Sequence, residues 1–282
     1  MVTMTLYLPA LRLPAPPAWS LQRQLRARSR ALCLLPVLLL LMGCFASKGG
    51  STLPSVSVVP ESFDSPAEML NAADRLYVGS QGQLTNPHAG IALYRQACEA
   101  GEGVACAALA SVSFMRATRD HERATAQAWV TSDVVEQVSA RCDSGEAMAC
   151  LYQGITQLIG IGRDQNVDQG FATLEQACEA GSGLACSELG SVVMGAYGPA
   201  GVERTPDPEL ARSYVERACK LGSGIGCNNL GGLQQYVDED IEQAQSAYWR
   251  GCAQGYAPAC FSTAKSMGLP ADVAELDEGL RG

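Results

Sequence analysis

From about residue 86 to residue 265, apolar and small residues recur at helical spacing, and a fixed nine-residue unit interrupts that spacing five times. The unit is Cys, two residues, Gly, four residues, Cys. It reads CEAGEGVAC (Cys98–Cys106), CDSGEAMAC (Cys142–Cys150), CEAGSGLAC (Cys178–Cys186), CKLGSGIGC (Cys219–Cys227) and CAQGYAPAC (Cys252–Cys260). One helical turn before each first cysteine stands an apolar residue: Tyr94, Val138, Leu174, Val215 and Tyr248. Three and four residues after the second cysteine come Leu109-Ala110, Leu189-Gly190 and Leu230-Gly231, with Gln153-Gly154 and Thr263-Ala264 as weaker matches. Both flanks therefore read as helices, the second carrying a small residue that lets a neighbour approach closely. Five copies spaced 33 to 44 residues apart mark a stacked-repeat protein, because one hairpin cannot bury its apolar face alone.

The same unit predicts how the helices join. Residues eight apart in an unbroken helix lie about 12 Å apart along the axis, beyond the roughly 7 Å that a disulfide spans between Cα atoms. If the cysteines pair locally, the chain turns back between them. Gly101, Gly145, Gly181, Gly222 and Gly255 supply the left-handed residue that closes a helix. The first cysteine then lies in the last turn of one helix and the second near the start of the next.

Outside the repeats the pattern changes. Residues 1–30 are basic and proline-containing, and Ala31 to Met42 is apolar apart from Pro36. That run is too short to span a bilayer and fits the core of a signal peptide. It closes on Leu41-Met42-Gly43-Cys44, which resembles a bacterial lipobox, so residues 1–43 read as a lipoprotein signal peptide with Cys44 as the acylated residue. Residues 44–63 are rich in Ser, Gly, Val and Pro and read as a tether. Residues 64–85 read as an N-terminal capping helix, with Ser65 as N-cap and Pro66 at the first helical position. The repeats occupy 86–265, with helix starts at Asn86-Pro87, Pro206-Asp207-Pro208 and Asp238-Glu239-Asp240. Residues 266–282 read as a C-terminal cap or tail around the amphipathic ADVAELDEGL. No useful strand alternation follows residue 43, and the fold class is all-α.

Cysteine count sharpens this picture. Of twelve, ten fall in the five units, Cys44 sits at the lipobox and Cys33 in the leader. Local disulfides in all five units place the chain in an oxidising compartment. Zinc is a poor alternative, since structural ligands are usually two to four residues apart and only His88 and His121 are available. No metal or cofactor is expected. The net charge is −9, and residues 1–43 hold five arginines and no acid, so the remainder is more acidic still. Nucleic acid, which needs a basic stripe, is excluded as a partner.

The stretches Ala177–Gly190 and Ala218–Gly231, of the form A-C-x2-G-S-G-x2-C-x2-L-G, resemble the cysteine-rich Sel-one-like repeats, relatives of the tetratricopeptide repeat. The resemblance covers about residues 86–265. It implies a right-handed α/α superhelix and a protein-interaction role, often as an extracytoplasmic adaptor or scaffold. Some bacterial members, the Hcp proteins, are catalogued as β-lactamases, which implies penicillin or cell-wall-peptide binding as the alternative function. The second repeat departs from the pattern at Arg141, which replaces a small residue, and the fifth at Tyr256 and Pro258.

Candidate chemistry is thin. A serine β-lactamase needs S-x-x-K together with S-D-N and K-T-G elements. Ser262 and Lys265 fit the first, Ser132-Asp133-Val134 only approaches the second, and the third is missing. The repeated G-x-G follows a helix rather than a strand and so reads as the hairpin turn, not a phosphate cradle. Five equivalent cysteine pairs read as staples rather than redox centres. Trp129, Tyr94, Tyr214, Tyr248 and Trp249 read as stacking residues. The function expected is a membrane-anchored envelope scaffold that holds a protein or peptide along a concave helical face.

Overall fold

Each leading helix of a repeat opens on a side-chain cap and ends on the cysteine turn. The computed structural model describes residues 55–56, 62–80 and 83–268. The segment read as a signal peptide, Cys33, Cys44 and residues 269–282 lie outside the described residues, as does most of the segment read as a tether. Helix α1 (Pro66–Val78) is capped by Ser65, whose side chain accepts from Glu68 N–H. The leading helices are α2 (Pro87–Glu99), α5 (Ser132–Asp143), α7 (Val167–Glu179), α9 (Pro208–Lys220) and α11 (Ile241–Ala253). Their caps are Asn86, Thr131, Asn166, Asp207 and Asp240, each accepting a backbone N–H three residues on. The following helices are α3 (Gly103–Arg116), α6 (Ala147–Ile159), α8 (Gly183–Val193), α10 (Gly224–Tyr236) and α12 (Ala257–Ser266). The remaining helix, α4 (Asp120–Gln127), lies between α3 and α5 and occupies the longest repeat spacing.

All five cysteine units form the same turn. In the first, Gly101 N–H donates to the Cys98 carbonyl and Glu102 N–H to the Ala97 carbonyl. This is the two-bond Schellman closure with Gly101 left-handed at φ 93°. The same pair of bonds recurs at Gly145, Gly181, Gly222 and Gly255. The residue after the glycine is at once the end of one helix motif and the N-cap of the next. Ser182 and Ser223 accept from Ala185 and Gly226 N–H, and Glu102 accepts from Val104 N–H. Arg141, the departure in the second repeat, has a structural role here. It donates to Glu146 at 2.6 Å and also to Glu102, tying two successive cysteine turns together.

The repeats stack by knobs into small residues. Leu174 fills the space over Gly154, where an added Cβ would lie 2.7 Å from its Cγ; Val215 does so over Gly190 and Tyr248 over Gly231. All five residues one turn before the first cysteine are buried. Helices joined by the open loops (α1–α2, α6–α7, α8–α9, α10–α11) pack over more of their length than those joined by a cysteine turn. The result is a right-handed α/α superhelix. No described helix is long and apolar enough to cross a membrane.

Three findings differ from the sequence reading. The capping helix ends at Val78, and beyond it β2 (Gln83–Leu84) pairs in parallel with β1 (Ser55–Val56). A short parallel pairing of this kind has no alternation to announce it. Trp249 is 54% exposed rather than stacked, because it sits one residue, about 100° of helix, beyond the buried Tyr248. The superhelix also closes: Thr85 N–H donates to the Gly255 carbonyl at 2.8 Å and Ala257 N–H to Thr85 Oγ1 at 3.2 Å. The last cysteine turn therefore rests on the segment between α1 and α2.

Candidate binding surface on the inner face

Closure turns the second helices inward around a common space. One cavity of about 260 Å3 takes its lining from α1, α3, α6, α8 and α10 together. Residues from so many successive modules share one cavity only on the inside of the curve. A second, of about 500 Å3, continues along α8, α10 and α12, and the two meet at Ser191 and Ala196. Exposed apolar side chains border both: Met115 at the first, Met194, Tyr236 and Val237 at the second.

The inward register is simple. The residue two past the second cysteine faces this space in four modules, as Tyr152, Glu188, Asn229 and Ser262. The residue five past it does so as Ser111, Ile155, Ser191 and Gly232. At Gly232 an added Cβ would meet nothing within 4 Å, so the floor there is open.

Two carboxyl groups stand at the inner layer. Asp74 on α1 accepts from Tyr94 O–H at 2.7 Å, and Tyr94 and Tyr152 hydroxyls are 3.0 Å apart. Burial pushes its carboxyl up to about 6, against the pull of the two tyrosine hydroxyls. Burial by the same layer raises the Tyr94 and Tyr152 phenols well above their usual range. Glu188 on α8 accepts from Tyr197 O–H at 2.6 Å, and burial again raises it, although the residue keeps partial exposure to the cavity.

The sequence candidates fall as follows. The ten repeat cysteines are joined as Cys98–Cys106, Cys142–Cys150, Cys178–Cys186, Cys219–Cys227 and Cys252–Cys260, with Cα separations of 4.4 to 4.8 Å. Ser262 lines the second cavity, and its hydroxyl donates to Asn228 Oδ1 at 3.2 Å. Lys265 is exposed and its ammonium makes no hydrogen bond or ion pair among the described residues, so the two are not assembled as nucleophile and base. His88 and His121 are exposed. Sequence reasoning missed Glu188 and Tyr197. The register two past the second cysteine was the signal that pointed to the first.

Stacked helix pairs, small-residue sockets and a polar inner register define an α/α repeat solenoid. Three segments match the Sel1 repeat, at residues 69–102, 147–182 and 183–223, and the chain carries Sel1 repeats. Each matched segment spans two helices across an open loop, α1–α2, α6–α7 and α8–α9, and ends in the cysteine turn that follows. The first begins inside α1, so the helix read as a cap opens a repeat. Cys178–Cys186 therefore staples one matched segment to the next rather than closing a single one.

Solved structures similar to the chain include a protective antigen of uropathogenic Escherichia coli displaying an SLR fold (21% identity, 71% of this chain and 41% of that one, TM-score 0.42). A Sel1 repeat protein from Oxalobacter formigenes matches at 26% identity over 46% of this chain and 97% of its own (TM-score 0.40). An immunity protein from Pseudomonas aeruginosa matches at 19% identity over 72% and 71% (TM-score 0.39). The chain thus spans less than half the length of the E. coli protein. No curated protein matches the chain. Sel1 repeat proteins generally act as scaffolds for protein–protein interaction.

Proposed function

We propose that the chain is a cell-envelope lipoprotein, anchored through Cys44 and facing the periplasm or exterior, whose inner surface holds a protein or peptide partner. The observation that carries the binding reading is the continuous inner groove, apolar at its borders and polar along Tyr152, Glu188, Asn229 and Ser262. Exposed apolar side chains gathered along a concavity mark an interaction surface better than the same residues scattered singly. The address rests on two supports: the lipobox before Cys44, and disulfides that persist only in an oxidising compartment.

The test pairs anchor and groove. Palmitate labelling of the full chain should vanish in Cys44→Ser, and persistent labelling would remove the anchor from the proposal. A photo-crosslinking residue at Tyr236 should capture a defined partner from native envelopes, whereas one at the outward Gln96 should not. Equal capture from both positions would overturn the groove reading. So would nitrocefin turnover that disappears in Ser262→Ala, which would make the protein a hydrolase of the Hcp type.

A further inference from the structure

Glu188 stands out among the carboxylates of the molecule. It projects from the middle of α8 into the 260 Å3 cavity, and its one hydrogen bond is the Tyr197 hydroxyl on Oε2. Oε1 has no donor, and no lysine or arginine pairs with the group among the described residues. The walls beside it are mostly apolar, including Val112, Ile155, Leu184 and Ile225, with the rings of Tyr77 and Tyr152 in the same lining. Oε1 is thus the free oxygen of the pair, open to the cavity rather than sealed in the core. An acceptor left open among apolar walls offers a cationic group a partner.

The shape limits what that ligand is. At about 260 Å3 the part of the groove beside Glu188 has room for one side chain, and the 500 Å3 space that meets it at Ser191 and Ala196 is left for the rest of a bound chain. A single carboxylate does not build a site for a hard divalent cation, which takes several oxygen ligands. A long side chain with a methylene stem and a cationic head matches both features: the stem lies on the aliphatic walls and the head reaches the carboxylate. The tyrosine rings add favourable faces for such a cation.

We infer that the cavity at Glu188 receives a lysine or arginine side chain of the protein or peptide bound in the inner groove. This deepens the binding reading above and rests on it for the identity of the donor. Glu188 supplies the charge, Tyr197 holds the carboxylate by its second oxygen, and Tyr152, fixed through Tyr94 to Asp74, keeps the wall in place. The open second cavity, floored by Gly232 and flanked by Asn228 and Asn229, then takes the chain that follows the inserted residue.

The experiment uses the full mature chain in detergent and three capped tripeptides, acetyl-Gly-X-Gly-amide with X as lysine, arginine or norleucine. Binding is read from shifts of ring-labelled tyrosine signals in NMR titrations. At least one cationic peptide should bind tenfold or more tightly than the norleucine peptide. Glu188→Gln should remove that preference and leave norleucine binding unchanged, while Glu188→Asp should keep it. Equal binding by all three peptides, no binding by any, or a preference that survives Glu188→Gln would overturn the inference. If Lys48→Met with Arg281→Met raises the affinity for the cationic peptide, the cavity is filled by this chain's own terminal segments and the inference also falls. These outcomes are independent of the crosslinking result at Tyr236, so either reading can fail alone.

Discussion

The chain passes between helices in two quite different ways. From leading to following helix it turns five times in the same manner: a left-handed glycine, two backbone bonds and a disulfide. From following to leading helix no two passages agree. One holds α4, one is the short Gly160–Asn166 segment, and one is a loop with a 3-10 turn at Gly198–Ala200. Yet across the other passages, α1–α2, α6–α7, α8–α9 and α10–α11, the helices pack more extensively than across a cysteine turn, while α3 and α5, on either side of α4, pack less. Covalent fixation is placed where packing is leaner, in one case (Cys178–Cys186) at the boundary between two matched Sel1 segments, and apart from the α4 passage variation is placed where packing already fixes the pair. In a stack whose stability sums over units and their interfaces, the cysteine turns raise the interface share.

The largest expected effect breaks the comparison at its exceptional member. Gly255 is the one turn glycine pressed against other backbone, with a hypothetical Cβ 2.1 Å from the Gln83 carbonyl oxygen. Gly255→Ala should cost about 3 kcal/mol or more, combining overpacking with left-handed strain, and should open the superhelix. Gly181→Ala, where nothing lies within 4 Å, should cost only the strain, about 1–2 kcal/mol. Paired denaturation midpoints check this, and equal losses would mean the closing contact adds nothing.

Asp74 tests how a junction without a disulfide is held. Its carboxyl is raised from 3.8 to about 6 by burial, so the folded state keeps the proton that the unfolded chain gives up between those values. Stability from this group is therefore present below about pH 4 and lost as pH climbs to about 6, by about 3 kcal/mol in all. Asp74→Asn should be more stable than the parent by about that amount at pH 7.5 and nearly equal to it at pH 4. Urea melts at the two pH values decide the matter, and a pH-independent difference would count against the burial argument.

Next comes Cys178→Ala with Cys186→Ala, which should lower stability by about 2–3 kcal/mol through the loss of one short covalent loop. The unfolding transition should also broaden as the repeats at 147–182 and 183–223 uncouple. The smallest effect sharpens the other side of the comparison. Four Gly-Ser residues inserted between the exposed Thr205 and Pro206 should cost less than about 1 kcal/mol. The same insert after Gly145 removes the two-bond closure and should cost clearly more.

Much of the frame was legible in the chain because its causes are local. Ser65, Asn86, Asp207 and Asp240 cap the helices they precede, and the glycine of each cysteine unit takes the conformation its position demands. What escaped has causes that are not local. The bonds from Thr85 to Gly255 and Ala257 join residues 170 or so positions apart and leave no periodic trace. Helix α4, with only Ala126 buried, has no apolar stripe to announce it. Each repeat was centred on its cysteine turn, with its boundaries at the open loops, because the cysteines are the most conspicuous residues, whereas the matched segments 147–182 and 183–223 meet between Cys178 and Cys186. Ser262 was singled out for a motif it does not complete. Its place in the inward register, beside Tyr152, Glu188 and Asn229, is the more informative fact about it.

The contact between Thr85 and the final turn also sets a tally. An open stack gains or loses a module at little harm to the others, since nothing downstream has to arrive anywhere. Here the circumference is fixed by the meeting of its two ends, so one module more would overshoot Thr85 and one fewer would leave Gly255 short of it. Variation in this lineage of architecture is thereby steered away from module number and into the loops and the side chains that point to the centre.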